Sequence, residues 1–396
     1  MSTDAPPSPA PVREGPAQRL RAAVLGASAR LTGLAVAAAL GIGAVVLALS
    51  AEETREALDD GLGPALVAGA SAVGRAYSAL LQGSVGSLGA LSETLVAATV
   101  LILTGLAVAV PLRAGLFNIG GEGQVIAGGL VGGAVGFAVT GLPLPVHLPL
   151  AIVAAGLGGA AVGWLPGFLK ARTGAHEVIS TIMLNNTLTF VLIWILTLPL
   201  VQVEGRSDPI SRQVLDSARL PRLLEGLRVD AGIILAVLVA VWVLWFLDRS
   251  TTGLELSAVG ANPAAATAAG MDPARTTVTA MTVAGALAGL AGGALIVGLQ
   301  GRITPGFSAG LGFDGITVAL LGRGTVIGTV LSGLLLGALK AGGRAMQARS
   351  GTALDLVVVI QALIIVFIAA PGVVRALFRV RADVGDGARI SQGWGS

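Results

Sequence analysis

Apolar runs that reach about twenty residues recur along this chain, and a run of that length is what one membrane-spanning helix requires. They cover residues 31–50, Leu91–Val110, Leu150–Leu169, Val178–Val201, Gly232–Leu247 and about 274–299, with a final run at Leu354–Ala370. Charged residues make up only 12% of the chain, about half the share of an ordinary soluble domain. The sequence predicts an all-α polytopic membrane protein with about nine to ten membrane segments, some of them broken. The 58 glycines have no fixed period and sit inside apolar runs, where small residues let helix backbones approach closely.

Several function classes fall away at this level. The net charge of +3 comes from scattered arginines, with Lys170 and Lys340 the only lysines, so no nucleic-acid surface is indicated. No cysteine is present, and neither His147 nor His176 has metal-ligand company. Neither a catalytic residue nor a metal or cofactor site is expected. The chain contains no Gly-Lys-Ser or Gly-Lys-Thr. It therefore lacks a phosphate-binding P-loop, and any ATP hydrolysis must occur on a separate subunit.

In chain order, residues 1–28 are rich in proline and alanine and carry Arg13, Arg19 and Arg21, as expected of a disordered cytoplasmic tail. Ala48-Leu49-Ser50 resembles a signal cleavage site, but the preceding apolar run exceeds a signal core and favours a retained first helix. The membrane domain is expected over 29–372. Within it, 62–82 is a mildly amphipathic surface segment, Pro111, Arg113 and Gly115 break a span, and Pro143, Pro145 and Pro149 mark a loop. Residues 373–396, with Arg375, Arg379 and Arg381, form a second cytoplasmic tail. Residues 202–230 form a polar extracytoplasmic loop. Its five arginines, offset by five acids, argue against that side, whereas the termini and the Lys170–Arg172 turn argue for it.

Three constellations carry possible function. Residues 115–124 place Asn118, Glu122 and Gln124 among glycines that permit a helix break. A break at membrane depth must line a cavity or be buried in protein, and polar side chains there are binding-site candidates. The alternative is that the glycines serve packing, with Asn118 capping a helix and Glu122 near its positive end. A second stretch, Ala309–Gly315, repeats the pattern of Ala-Gly-Leu, a phenylalanine (Phe313) and an Asx residue (Asp314) seen in Ala114–Asn118 with Phe117. Matching interruptions in two weakly related halves point to a transport site. Asn185 and Asn186 lie inside a span, facing either a polar pathway or a neighbouring helix.

The third constellation is a loop at 249–276 with two helix starts in succession. Asn262-Pro263 and Asp272-Pro273 each join an N-cap residue to a first-turn proline. The first helix, over Ala264–Ala269, is too short to be stable alone and must dock on something. It is either an ordinary surface helix or an element that passes movement between a soluble partner and the bilayer.

The segments Gly115–Gln124 (GLFNIGGEGQ), Glu177–Asn185 (EVISTIMLN), Ala258–Met271 (AVGANPAAATAAGM) and Gly312–Arg323 (GFDGITVALLGR) resemble the permease subunits of bacterial ATP-binding-cassette importers. The superfamily is that serving ribose, branched-chain amino acids and nucleosides, and the likeness is greatest to the nucleoside type. It spans about residues 90–370 and departs at His176, where the family commonly has asparagine. The tail and the 202–230 loop match poorly.

The resemblance implies a bacterial plasma-membrane location and three protein partners. These are a separate ATP-binding subunit, a second permease subunit (a homologous sibling or a second copy) and an extracytoplasmic substrate-binding lipoprotein; membrane lipid surrounds the chain. It implies coupling to the ATPase through Gly260, Asn262, Pro263, Ala265, Ala268 and Gly270. It also implies a pathway in which Asn118, Glu122, Gln124, Asn185 and Asp314 meet the polar edges of a nucleoside or simple sugar, and Phe117 and Phe313 meet a base. The rival expectation is an ion-coupled carrier using Glu122 or Asp314.

Overall fold

A computed structural model describes residues 27–370 together with 372, 373 and 378. The expected tails at 1–28 and 373–396 lie almost wholly outside the described residues. The described chain is helical with no β-strand, and only two isolated bridges occur, Gln202 with Ser211 and Arg222 with Asp230. Seven of the described helices are long and apolar enough to cross a membrane. In order, the first helices are α1 (Ala27–Ser50), α2 (Glu52–Glu56), α3 (Leu62–Val85), α4 (Leu88–Leu112), α5 (Gly121–Ala138), α6 (Leu144–Thr173) and α7 (Glu177–Leu196). There follow α8 (Gly232–Arg249), α9 (Thr251–Ala261), α10 (Pro263–Ala268), α11 (Pro273–Ala294), α12 (Leu311–Leu321), α13 (Val326–Ser350) and α14 (Leu354–Ala369). A π-helical turn, Leu295–Gln300, continues α11.

The expected prolines act differently from one another. Pro111 lies in the last turn of α4, and Gly115 turns the chain at φ +70. The expected loop at Pro143–Pro149 is instead mostly helix: α6 begins at Leu144, with Pro145 in its first turn and Pro149 inside it. A first-turn proline loses no helix bond, because its N–H would have no partner there. His147, assigned to that loop from sequence, is a buried residue of α6.

The core is a stack of small-residue seams. α11 runs between α6, α5 and α4. Gly159, Gly163, Gly285 and Gly289 bring the α6 and α11 backbones together, and Gly292 of α11 meets the Val125 carbonyl of α5. A Cβ on Gly289 would collide with the Ala155 carbonyl oxygen, and one on Gly285 with that of Gly159. Leucine could not fill these positions, so the glycine content of the sequence is here a packing requirement.

A second group packs around α4. α12 runs in the same direction as α4, with Gly315 beside Thr104 and Gly324 beside Leu112. α13 returns antiparallel, with Gly333 beside Ile102 and Gly337 beside Ala98. α1 and α14 are also antiparallel. The end of α1 (Leu47, Ser50) and the start of α14 (Asp355, Leu356) line one cleft, and Gly43 meets Ile360. Both ends of the described chain therefore leave on one side.

The polar segment 202–230 is an ordered cap on the bundle. It contains one 3₁₀ turn, Asp216–Ala218. Leu215 N–H donates to Gly136 O, Val214 N–H to Gly301 O and Leu220 N–H to Val297 O. These bonds satisfy the carbonyls that α5 and the π-turn would otherwise leave unpaired. His147 fixes the cap from below, with Nδ1 2.8 Å from Ser217 Oγ and Nε2 3.0 Å from Val135 O. The carbonyl can only accept, so Nε2 carries a proton.

Two outcomes follow. Gly289→Ala should cost about 1–3 kcal/mol through overpacking, whereas Gly41→Ala, with nothing within 4 Å of the added carbon, should be neutral or stabilising. Melting of the purified protein in detergent separates them. Asp230, outside the spanning helices, is buried, and burial pushes its carboxyl up against the opposing hydrogen bond from Gly232 and the charge of Arg222. An acid whose folded-state pKa is raised contributes stability below its unfolded value and loses it as pH rises through the folded value. Asp230→Asn keeps the acceptor and should therefore raise the melting temperature near neutrality. The gain should disappear on acidification toward the ordinary aspartate range.

Candidate functional site

The two interrupted segments meet. Gly115 and Gly310, the glycines of the two Ala-Gly-Leu triplets, both adopt left-handed backbone, at φ +70 and +77. Beyond them the halves diverge. After Gly310 the helix α12 starts at once, whereas after Gly115 the chain stays non-helical until α5 begins at Gly121. The starts of α5 and α12 abut so closely that a Cβ on Gly312 would overlap the Glu122 amide nitrogen.

Glu122 holds this junction. Its Oε1 accepts from the Ser308 hydroxyl and from Gly310 N–H at 3.1 Å, and its Oε2 accepts from Gly312 N–H at 2.8 Å. The carboxylate thus sits on the first turn of α12, where the unpaired N–H groups and the helix dipole favour negative charge. The sequence allowed Glu122 to lie near the positive end of a helix; the structure adds that a helix of the other half is served.

The remaining polar residues of the first break are also partnered inside the protein. Asn118 and Gln124 form a reciprocal amide pair, Nδ2 to Oε1 at 2.9 Å and Nε2 to Oδ1 at 3.1 Å, and both are 0% exposed. Asn118 also accepts from Gly120 N–H, an Asx-turn bond, while Gly120, the N-cap of α5, has no side-chain cap. Asn185 of α7 accepts from Gly123 N–H at 2.8 Å and donates to Ile119 O at 2.9 Å. Phe117 is partly exposed beside them. In this conformation Asn118, Glu122, Gln124 and Asn185 form one polar knot joining α4, α5, α7 and α12.

Phe313 and Asp314 stand apart from that knot, on the exposed side of α12. Asp314 forms an ion pair with Lys340 of α13, a partner that sequence reading missed because 26 residues separate them. The only sequence signal was a lone lysine within a spanning run. At the α6–α7 turn, Lys170 pairs with Glu177 at 2.6 Å, and Gly174 turns the chain at φ +69.

The 249–276 segment carries both expected caps. Asn262 Oδ1 accepts from Ala265 N–H at 3.1 Å, and Asp272 Oδ1 from Ala274 and Arg275 N–H. Gly270 adopts φ +84. α10 runs Pro263–Ala268, one residue earlier than expected, and only Ala266 in it is buried. Ala265, Ala268 and the preceding Leu254 are exposed. The helix α9, not anticipated from sequence, carries this face against the bundle. At its end Gly260 lies so close to Arg113 O that no side chain fits between. α9 thereby touches the turn that leads directly to Asn118 and Glu122.

The Glu122 junction has a measurable weight. Glu122→Ala leaves the buried Gly312 N–H and the part-buried Gly310 N–H without their acceptor and should cost about 1–3 kcal/mol. Glu122→Gln, which keeps one acceptor oxygen, should cost less, and Glu204→Ala, at an exposed loop position, almost nothing. Melting temperatures of the three purified variants check the order.

Comparison with known proteins places the chain. The family model described as branched-chain amino acid transport system / permease component matches residues 90–369. The guanosine ABC transporter permease protein NupP of Bacillus subtilis is 42% identical over 313 residues, covering 78% of this chain and 89% of that protein. The glucose ABC transporter permease protein TsgB13 of Haloferax volcanii is 37% identical, over 74% of this chain and 79% of that one. The nucleoside ABC transporter permease protein NupB of Lactococcus lactis is 33% identical, over 76% and 85%. No solved structure matches significantly. These likenesses are to permeases of ATP-binding-cassette transporters, not to ion-coupled carriers. The chain belongs to the family of permease components of branched-chain amino acid-type transport systems, multi-pass proteins of the plasma membrane that work with ATP-binding and substrate-binding partners.

Proposed function

We propose that this permease moves nucleosides into the cell as the membrane subunit of an ATP-binding-cassette importer. The observation that carries the substrate class is the 42% identity to a guanosine permease over most of both chains. A simple sugar is the second reading, favoured by the 37% identity to a glucose permease. Both substrates are uncharged and rich in hydroxyls, and both suit a wall of amides, carboxylates and aromatic faces.

In this reading the 249–276 segment is the dock for the ATP-binding subunit, through Gly260, Asn262, Pro263, Ala265, Ala268 and Gly270. Small exposed alanines let a partner approach closely, and Gly260 relays the movement to the Arg113–Ala114 turn. The polar knot at Asn118, Glu122, Gln124 and Asn185 is then the bistable element. Its hydrogen bonds hold one packing, and a second packing of similar energy would present the same groups, with Phe117, Phe313 and Asp314, to substrate. A second permease subunit, homologous or identical, completes the pathway, and an extracytoplasmic lipoprotein delivers substrate to the 202–230 face. Both termini are then cytoplasmic, as the shared side of α1 and α14 requires of one another.

The test is at the dock. Ala265→Glu and Ala268→Glu each place an unpaired charge in a desolvated interface, at a cost of about 3–5 kcal/mol. The expected result is normal membrane insertion, loss of the ATP-binding subunit from pull-downs of the tagged permease, and loss of ATP-dependent nucleoside uptake. Retention of the subunit and full uptake by both variants overturns the docking assignment.

A further inference from the structure

The transport reading gives Lys340 no role. Lys340 is residue 15 of the 25 in α13, Val326–Ser350. At about 1.5 Å per residue it lies roughly 21 Å from one end of the helix and 15 Å from the other. Gly315, next to Asp314, packs against Thr104, residue 17 of the 25 in α4, whereas Arg344, exposed and paired with Glu93, follows one turn after Lys340, which therefore reaches inward from near the polar end of α13. Its partner Asp314 comes from the first turn of α12. The two side chains remain 33% and 36% exposed, and the neighbouring Phe313 is 46% exposed.

This differs from the other deep carboxylate. Glu122 is buried and already accepts from three donors within the protein. The described bond between Lys340 and Asp314 uses one ammonium N–H and one carboxylate oxygen. Two N–H donors and an acceptor oxygen are left for a ligand. A charge pair one-third open within the spanning helices is expensive against lipid, and such residues almost always face a bundle interior or a water-filled cavity.

We propose that the Asp314–Lys340 ion pair is part of the wall of the permeation pathway, and that Lys340 is a specificity determinant there. The ammonium keeps the wall net neutral and adds donors beside the Asp314 acceptor, a match for vicinal hydroxyls on an uncharged substrate. The hydroxyl-reading part rests on the nucleoside or sugar assignment; the pathway-wall part does not. The neutral pair also sets a charge rule. A lone carboxylate or a lone ammonium at this depth would hold a counter-ion or repel a like charge, whereas the pair treats neutral substrates without either penalty.

Two measurements test this in membranes holding the complete transporter. The chain has no cysteine of its own, so a single Phe313→Cys is the only thiol on it. A charged, membrane-impermeant methanethiosulfonate should modify Phe313→Cys, and should leave Val237→Cys, on the exposed apolar face of α8, unmodified. Equal inertness of the two overturns the pathway-wall assignment, whatever the substrate is. Labelling of Phe313→Cys in a transporter that moves no nucleoside supports the wall and sinks only the nucleoside reading.

The second measurement uses the double variant Asp314→Asn/Lys340→Met, which removes both charges together and leaves none unpaired. KM for a ribonucleoside should rise about tenfold or more, the loss of one or two charge-assisted hydrogen bonds. The maximal rate should change far less. Discrimination against the 2′,3′-dideoxynucleoside should collapse, because the groups that read the hydroxyls are gone. An unchanged KM, with discrimination intact, makes the pair a helix clamp and overturns the specificity role. The same holds if melting temperature falls while discrimination persists.

Discussion

One carboxylate closes the junction on which the membrane domain turns. Two helix starts, α5 and α12, abut inside the bundle, and each brings N–H groups without a helix partner into a largely buried junction. Backbone groups at that depth must be satisfied by the protein. Glu122 does this for α12 through Gly310 and Gly312, with Ser308 completing the shell. Asn118, Gln124 and Asn185 do it for the approach to α5. The broken segments are possible because these side chains take over the role of the missing helix bonds.

Around that junction the packing is uneven. On one side α6, α11 and α5 touch largely through glycine backbones, with few side chains between them, Val131, Leu290 and Met281 among these. Such seams hold a fixed distance and can move only as a body. On the other side α7 buries a single face, and its exposed face includes Ile182, Asn186 and Phe190. It is tied to the junction through Asn185 and to the end of α6 through the Glu177–Lys170 pair. A rigid seam beside a lightly held helix gives the bundle a body and an arm, and the α9 contact at Arg113 joins the body near the arm's anchor.

The sequence was most legible where a local rule decides the outcome. Asn262 and Asp272 cap the helices that their following prolines announce, and Gly115 and Gly310 turn where a left-handed residue is needed. It was less legible where partners are distant in the chain. Glu122 was visible as a carboxylate near a helix start, but the helix it serves lies 188 residues away. Lys340 looked like a stray charge until α12 brought Asp314 to it. The 202–230 segment looked like a solvated loop because its charges are plain, whereas the backbone bonds that seat it on Gly136, Val297 and Gly301 leave no compositional trace. The π-turn at Leu295–Gln300 likewise has no sequence signal, since the same apolar residues suit either helix.

The separation of Glu122 from Gly310 has a consequence for biosynthesis. Translation runs from the N-terminus at about 5–20 residues per second, so α12 emerges roughly 10–40 seconds after Glu122. Throughout that interval the first half of the chain holds a carboxylate whose intended donors do not yet exist. α5 cannot settle at its final depth until they arrive, and Glu122 must wait at a water-facing surface or inside the insertion machinery. The Glu122 junction therefore closes only after the second half of the chain has been made.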